Sequence, residues 1–189
     1  DPELSRGLGD VYKRQVPAPF AQIKILKILG ILGSGDREAS KQAYEVIQLT
    51  MKKAQKAKSS TGDGILLECV FTIAKIYPNK ELLEQCEGIV RKFINRGVGE
   101  DGNVKTNVSS SDRWRNANLK YAALDALAKL APRLPDCAAE HQMHIVDSLD
   151  SEDESVRAKT FDLLSKITTA NNCDVIIEKM LSFLRKSND

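Results

Sequence analysis

The chain is poor in the residues on which catalysis and metal binding usually depend. It has two histidines, one tryptophan and four cysteines among 189 residues. A zinc site usually needs closely spaced ligand pairs, and no CxxC pair occurs here. Widely separated cysteines in or beside helical sequence instead predict reduced, partly buried thiols and a reducing, cytosolic compartment. The four are Cys69, Cys86, Cys137 and Cys173.

Charge of one sign and long apolar runs are lacking as well. The 28 basic and 26 acidic residues leave a net charge of +2, which argues against a dedicated nucleic-acid-binding protein. No apolar run reaches the roughly 18 residues of a membrane span, and no signal peptide is recognisable. Aromatic residues make up only 5% of the chain, so we expect a core of Leu, Ile, Val and Ala.

Two segments stand apart from the rest. Residues 1–15, DPELSRGLGDVYKRQ, have no periodicity and look like a translated adapter joined to a partial reading frame. We therefore predict a non-native tail over 1–15 and a partial domain, a fragment, over 16–189. Residues 97–112 are rich in Gly, Ser and Asn and are predicted to form a flexible insert loop, most simply a tolerated extension between helices.

What the chain does have is helical periodicity. Residues 21–32, AQIKILKILGIL, are apolar on most sides, which predicts a helix buried on most sides. The helix over 37–56 has an N-cap at Asp36 and a single apolar stripe, which consists of Ala39, Ala43, Val46 and Ile47. Residues 65–76, ILLECVFTIAKI, are again apolar apart from one polar face, and Asn79 is placed to cap the next helix. The members of that polar face are Glu68, Thr72 and Lys75.

The pattern continues to the end of the chain. Residues 119–131 are apolar except for Lys120, Asp125 and Lys129. Ser151 and Glu154 predict a capping box that opens a helix with Leu164 inward. The last helix is predicted to place one stripe inward at i, i+3, i+4 and i+7. That stripe consists of Ile177, Met180, Leu181 and Leu184.

Alternate helices begin near residues 21, 64, 118 and 155, about 40 residues apart once the insert is removed. A buried helix that alternates with a half-buried one at this period is typical of stacked helical hairpins. No strand pattern competes. The sequence therefore predicts an all-α fold, a right-handed α-solenoid of HEAT or armadillo type.

Candidate chemical sites have simpler structural interpretations. His141 and His144 could bind a metal with Asp147, but no third ligand of matching geometry is evident, so we interpret them as a solvated pair. The GSGD sequence at 33–36 lacks the strand and lysine of a phosphate loop. Asp150 and Glu154 are paired carboxylates, but they lie at a predicted helix start, where negative charge is favourable for the helix dipole. We predict no catalytic, metal or cofactor-binding residues and no enzyme activity.

A basic cluster ends the second predicted helix, where positive charge suits the helix C-terminus. It could also touch anionic lipid or an acidic partner. The cluster consists of Lys52, Lys53, Lys56 and Lys58.

The segment VPAPFAQIKILKILGILGSGD resembles the large-subunit adaptins of vesicle coats, in which a Pro-Phe-x-Gln-hydrophobic-basic segment opens a trunk repeat. GILLECVFTIAKI and NLKYAALDALAKL are similar to two further trunk helices of that family, and the likeness runs from Pro17 to Leu184. AEHQMHIVDSLDSEDESVRAKTFDLLSKIT most resembles the epsilon type, of the fourth adaptor-protein complex, with the gamma and alpha types next. The insert at 97–112 is longer than the family pattern leads us to expect.

The resemblance implies a non-enzymatic trunk segment of a heterotetrameric cargo adaptor. Its implied partners are small, medium and beta-type large adaptin subunits and, through the whole complex, an Arf-type GTPase and cargo tails. The implied location is peripheral, on trans-Golgi network membranes and coated vesicles, with no nucleic acid and no cofactor. No binding residue is carried over from the family, because its known contacts lie mostly in trunk repeats outside this stretch.

Other interpretations stay open from the residues alone. The chain could be another helical scaffold, such as a nuclear-transport receptor or a phosphatase scaffold, or the trunk of a gamma- or alpha-type adaptin of clathrin-coated vesicles. An enzyme with an unrecognised site is the third class, which a deep pocket lined by His141 and carboxylates would favour.

Overall fold

The computed structural model describes residues 16–57, 59–95, 109–134, 142–170 and 172–187. The described residues form helices and turns with no strand among them, and none of these helices is both long and apolar enough to cross a membrane. In chain order the helices are α1 Pro19–Leu32, α2 Arg37–Ala57, α3 Ser60–Ile73, α4 Lys80–Ile94, α5 Ser110–Leu130, α6 Gln142–Val146, a 3₁₀ turn Asp147–Asp150, α7 Glu154–Ile167 and α8 Cys173–Ser187. The chain divides into two compact regions, residues 1–86 and 87–189.

In the first region, local capping explains where the helices begin. Asp36 Oδ1 accepts the backbone N–H groups of Glu38 and Ala39 at 2.9 and 3.0 Å, so the predicted cap of α2 is confirmed. Asn79 Oδ1 accepts the N–H of Leu82 at 3.1 Å, which confirms the predicted cap of α4. Between α1 and α2 the chain turns through Gly35, whose φ of 81° is a left-handed conformation that favours glycine.

Helices α1, α2 and α3 pack against one another and share an apolar core. The fully or nearly fully buried side chains of this core are Leu26, Ala43, Ile47, Met51, Ala54, Ile65, Leu66, Cys69, Val70, Ile73 and Ile76. The predicted stripe of α2 is confirmed for Ala43 and Ile47, whereas Val46 lies on the exposed side. Because most of α3 is buried, its predicted apolar character is confirmed as well.

Two buried hydroxyl groups join these helices. Ser40 Oγ lies 2.9 Å from the Gly33 carbonyl and 2.7 Å from the Asp36 carbonyl, and it accepts the Tyr77 N–H at 3.1 Å. Thr72 Oγ1, on α3, donates to the Leu26 carbonyl of α1 at 3.1 Å. Buried polar groups are stable only with such partners, so these bonds fix how α1 and α2 meet α3.

In the second region α5 packs against α7, and α7 also contacts α6 and the 3₁₀ turn. The buried apolar side chains of these elements and of the end of α4 include Ile89, Val90, Phe93, Ala123, Leu124, Leu127, Leu130, Ile145, Leu149, Val156, Leu163, Leu164 and Ile167. Phe161 of α7 meets Phe183 of α8 edge to face, with ring centroids 5.4 Å apart. The predicted inward face of α7 is confirmed.

Three further sequence predictions are wrong in detail. α1 buries only Leu26 and Gly30, because α3 covers one of its sides and the described residues leave the other bare. α8 buries Ile176, while Ile177, Leu181 and Leu184 are exposed; the helix is apolar on two adjacent sides, so periodicity alone could not tell which side packs. The cap of α7 is Asp153, whose carboxylate accepts the N–H groups of Ser155 and Val156; Ser151 Oγ accepts only the Asp153 N–H.

The all-α fold of packed helix pairs is confirmed within each region, as expected for an α-solenoid. Alternate helices begin at residues 19, 60, 110 and 154, close to the predicted period. The predicted tail 1–15 and most of the predicted insert 97–112 lie outside the described residues. The backbone is already helical from Ser110, so any insert loop ends before that residue.

Candidate interaction surfaces

The three cysteines in the described part of the chain are at least partly buried. Cys69 and Cys86 are buried and Cys173 is half-buried, and all three are thiols outside any disulfide, as predicted. Burial, reinforced by the nearby Cys86 and Glu68, raises the pKa of the Cys69 thiol far above its usual value. The thiolate is the reactive form, so Cys69 is not a nucleophile at neutral pH. Cys137 lies outside the described residues.

The candidate metal and phosphate sites have no support from the described residues. His141 and the side chain of His144 lie outside them, and no group of three His, Cys, Asp or Glu side chains in the described ranges could hold a metal. At the GSGD sequence, Asp36 caps α2, and a Cβ at Gly33 would lie 2.7 Å from Ile76 Cγ2. Gly33 is therefore packed against Ile76, just beyond the end of α3, and Asp36 is already used by the helix cap.

The basic cluster lies at the exposed end of α2. Lys52, Lys53 and Lys56 are all exposed, in the last two turns of the helix, and Lys58 lies outside the described residues. Of the three, Lys56 lies in the last turn, where positive charge is favourable for the helix dipole. Three lysines on one open surface provide a local positive field, and they show no fixed geometry that would select a particular ligand.

The most connected polar cluster lies between α5 and α7. Lys159 Nζ of α7 lies 2.5 Å from Asp125 Oδ1 of α5, and the other carboxylate oxygen lies 2.6 Å from Lys129 Nζ. Asp162 extends the cluster, 3.6 Å from Lys159 and 3.0 Å from Lys166. We call these five residues the α5–α7 ion network: Asp125, Lys129, Lys159, Asp162 and Lys166, in which basic side chains contact acidic ones.

The α5–α7 ion network is partly shielded from water, since the Lys159 and Asp125 side chains are 19% and 22% exposed. Burial alone would raise the pKa of Asp125, but hydrogen bonds and charge from Lys129 and Lys159 hold this pKa below its usual value. The same carboxylate raises the pKa of Lys159. Lys159 also lies 5.7 Å from the centroid of the Tyr121 ring. Asp125 and Lys159 thus have their charged partners within the protein, and the network holds α5 against α7.

Lys120, which is also on α5, has a pKa shift opposite in sign to that of Lys159. Burial lowers its pKa, and the charge of Asp147 in the 3₁₀ turn offsets only part of that shift. The sequence predicted Lys120, Asp125 and Lys129 simply as the polar positions of an apolar helix. Their partners could not be found from α5 alone, because Lys159 and Asp147 come from other elements and meet α5 only through helix packing.

Exposed apolar side chains form the other kind of surface. On α1 five large apolar residues are exposed, which we call the α1 stripe: Phe20, Ile25, Ile28, Ile31 and Leu32. On α8 the exposed residues Ile177, Leu181 and Leu184 are spaced i, i+4 and i+7 and lie on one side. Apolar faces of this size on a helical protein are typical of surfaces that contact other protein.

Comparison with known proteins gives one consistent family. AP-4 complex subunit epsilon of Arabidopsis thaliana is 37% identical over 175 residues, 93% of this chain and 17% of that protein. Human AP-4 complex subunit epsilon-1 is 36% identical over 174 residues, 92% of this chain and 14% of that protein. AP-1 complex subunit gamma of Dictyostelium discoideum is 29% identical over 169 residues, 89% of this chain and 17% of that protein. No protein-family model matches the chain.

The chain thus spans only 14% to 17% of the length of these curated relatives. The match runs through nearly the whole chain, and identity is higher to the epsilon subunits than to the gamma subunit, which is the order predicted from the sequence. The resemblance to the large-subunit adaptins is confirmed, and the match is consistent with a segment of the epsilon type.

Proposed function

We propose that the chain is a trunk segment of the large subunit of a vesicle-coat adaptor complex, and that its role is structural. The observation that carries this proposal is the 36–37% identity to AP-4 epsilon subunits over more than nine tenths of the chain. The polar groups described above support it, since Asp36, Asp153 and the α5–α7 ion network bind other groups of the chain itself. On this proposal the protein is not an enzyme.

The proposed mechanism is the presentation of helical surfaces to other subunits. The whole protein would assemble with small, medium and beta-type large adaptins into a heterotetramer. An Arf-type GTPase and cargo tails would engage the complex, which would lie peripherally on trans-Golgi network membranes. The helices supply rigidity because their core is continuous within each region, with buried Leu, Ile, Val and Ala side chains.

Co-purification of the full-length gene product from its own cells tests the proposal. We expect tagged protein to recover medium, small and beta-type adaptins, identified by mass spectrometry. Leu164→Asp should lose these partners, because Leu164 is fully buried and the charge disrupts its region. Ser165→Asp is the matched control: it adds the same charge at the adjacent exposed position and should keep them.

Two results would contradict the proposal. Recovery of nuclear-transport cargo or phosphatase subunits in place of adaptins would support another helical scaffold. Recovery of no adaptin subunit by the folded wild-type protein would remove the adaptor assignment altogether.

A further inference from the structure

Ser151 begins an acidic sequence, Ser-Glu-Asp-Glu, that predicted a capping box which the structure does not contain. The cap of α7 is Asp153, so the Ser151 side chain is not needed to begin the helix. Ser151 Oγ accepts the Asp153 N–H at 3.3 Å, and its own O–H donates to no group in the described part of the chain. The hydroxyl therefore has an unused donor and is followed directly by three acidic residues.

The backbone at Ser151 already has the extended form in which protein kinases bind the residue that they modify. φ and ψ are −64° and 140° at Ser151 and −83° and 114° at Asp153, both in the extended region. Glu154 is the first residue of α7. A kinase therefore has to open only the first turn of this helix to reach the third residue after the hydroxyl, and helix ends open at low cost.

The side chains around this hydroxyl are accessible and negatively charged. Ser151 is half-buried, whereas Asp150, Glu152 and Glu154 are exposed. An acidophilic serine kinase has basic groups in the part of its substrate site that binds the residues after the acceptor serine. Carboxylates one and three positions after Ser151 therefore favour this class of kinase over those that require a basic neighbour.

The neighbouring hydroxyl groups on the described elements lack one or more of these features. Ser148 and Thr160 are fully buried. Ser155 is exposed, but it lies within α7 and is followed by Val-Arg-Ala, with no carboxylate at the third position. Accessibility, extended backbone and following acidic residues thus coincide at Ser151.

Arg157 has hydrogen-bond donors available beside this serine. Its Nη1 donates to the carbonyl oxygens of Ser151 and Glu152 at 2.7 and 3.2 Å, so the guanidinium lies on the backbone of the acceptor residue itself. Nη2 and Nε make no hydrogen bond with the residues that the structure describes. A guanidinium has five N–H donors, and phosphate oxygens are among the acceptors that suit it best.

We propose that Ser151 is a phosphorylation site for an acidophilic serine kinase and that Arg157 binds the resulting phosphate. The γ-phosphoryl group of ATP passes to Ser151 Oγ: the serine O–P bond forms, the bond from the γ-phosphorus to the bridging oxygen breaks, ADP leaves and the hydroxyl proton is released to solvent. The product adds negative charge just before α7. This modification is independent of the proposed adaptor role, since it requires only these residues, a kinase and ATP.

Phosphorylation of the full-length gene product in vitro tests the site. Protein first treated with phosphatase is incubated with ATP and casein kinase 2, an acidophilic enzyme, and the phosphate is located by peptide mass spectrometry. We expect phosphate on Ser151, at a rate about tenfold lower in Glu154→Gln, which lacks the carboxylate at the third following position. Ser155→Ala is the matched control and should be modified at Ser151 as fast as wild type.

Three results would overturn the site. They are the absence of phosphate from Ser151, an equal rate in wild type and Glu154→Gln, and equal modification of Ser151 by cyclic-AMP-dependent kinase, which requires basic neighbours.

The rate of phosphate removal tests the role of Arg157. A phosphatase should release phosphate from Ser151 about threefold faster in Arg157→Gln than in wild type, because the charge-assisted hydrogen bonds to the phosphate are lost. Arg157→Lys keeps the charge and should restore part of the protection. Arg185→Gln, at an exposed arginine of α8, is the control and should release phosphate at the wild-type rate. Equal rates in wild type and Arg157→Gln would overturn the contact between Arg157 and the phosphate.

Discussion

The described parts of residues 16–86 and 87–187 are built from the same kind of element but differ in their best-connected polar contacts between helices. In the first region the buried hydroxyl groups of Ser40 and Thr72 bond to backbone groups across helices, and the ion pair between Lys27 and Glu68 is long, at 3.9 Å. In the second region the ion pair between Asp125 and Lys159 joins α5 and α7. Both regions bury Leu, Ile and Val, so the difference lies in the polar contacts and not in the core.

The comparison shows that the same helical architecture can be stabilised by two kinds of polar contact, hydroxyl–backbone hydrogen bonds and ion pairs. Hydroxyl–backbone bonds have no net charge and do not titrate near neutral pH, so salt and pH affect them little. Ion pairs are screened by salt and disappear when either partner changes protonation. Hydrogen exchange measured peptide by peptide can follow the two regions separately in one sample.

The largest effect is expected from Leu164→Asp in the second region. Leu164 is fully buried, and an unpaired carboxylate at this position should cost more than about 4 kcal/mol. We expect α5 and α7 to lose exchange protection and helical circular dichroism to fall. Ser165→Asp, at the exposed neighbour, should do neither. Unchanged melting of Leu164→Asp would mean that the face assigned to α7 is wrong.

Ser40→Ala tests the hydroxyl contacts of the first region. The change removes the bonds to Gly33, Asp36 and Tyr77 and leaves buried polar groups without a partner, at a cost of about 1–3 kcal/mol. Urea titration should show this loss equally in low and high salt. Ser34→Ala, at an exposed serine in the same turn, is the control and should be neutral. A strong salt dependence of the Ser40→Ala effect would contradict the conclusion that uncharged contacts stabilise the first region.

Asp125→Asn tests the ion pair of the second region. We expect a loss of about 1–2 kcal/mol at pH 7, since the pair is only partly buried. The effect should shrink in high salt, as judged by the urea midpoint and by exchange in α5 and α7. Asp162→Asn, on the exposed rim of the network, should have a smaller effect.

The pH dependence follows from the directions of the two shifts. The pKa of Asp125 is lowered in the folded protein, so its contribution is present above the usual aspartate value of about 4 and is lost as pH falls through the folded value. The pKa of Lys159 is raised, so its contribution is present below about 10.4 and is lost as pH rises through the folded value. Wild type should therefore lose more stability than Asp125→Asn on acidification. Equal losses would show that the Asp125–Lys159 pair does not cause the loss of stability at low pH.

The smallest effect is expected from replacing either of two glycines in α3, Gly62 and Gly64, with alanine. A Cβ at Gly64 would meet nothing within 4 Å, so Gly64→Ala should stabilise the first region by about 0.5–1 kcal/mol through lower backbone entropy in the unfolded chain. A Cβ at Gly62 would lie 2.8 Å from the Ala54 carbonyl oxygen, so Gly62→Ala should destabilise it. Thermal melts of the two variants should shift in opposite directions; shifts of the same sign would contradict the packing described at the start of α3.

Sequence patterns predicted most of the features that depend on a few neighbouring residues, although the cap of α7 is Asp153 and not Ser151. The caps at Asp36 and Asn79 need only a side chain and the next backbone amides, and both are confirmed. The polar face of α3 was also recognised, but its role was not. Thr72 and Glu68 point at α1, so this polar face is a helix contact.

Features that depend on packing could not be read from the sequence. Burial of α1 was predicted from its apolar composition, but composition cannot say which layer covers which side. On α8, Ile176 and Ile177 are adjacent and equally apolar, and only the packed neighbours decide that Ile176 is buried. The partners in the α5–α7 ion network come from separate helices, so no spacing within either helix indicates the pair. No site residue was predicted, and the described residues give no reason to assign a catalytic one.

The bonds across the first region join residues about one repeat apart in sequence. Thr72 bonds to a carbonyl 46 residues earlier, and Tyr44 donates to the Tyr77 carbonyl 33 residues later. Each closes a loop of about one repeat, and the entropy lost on closing loops rises only slowly beyond that length. A ribosome that has released the chain as far as Tyr77 has released every partner of these bonds, so this region can acquire its tertiary structure while the rest of the polypeptide is still being made.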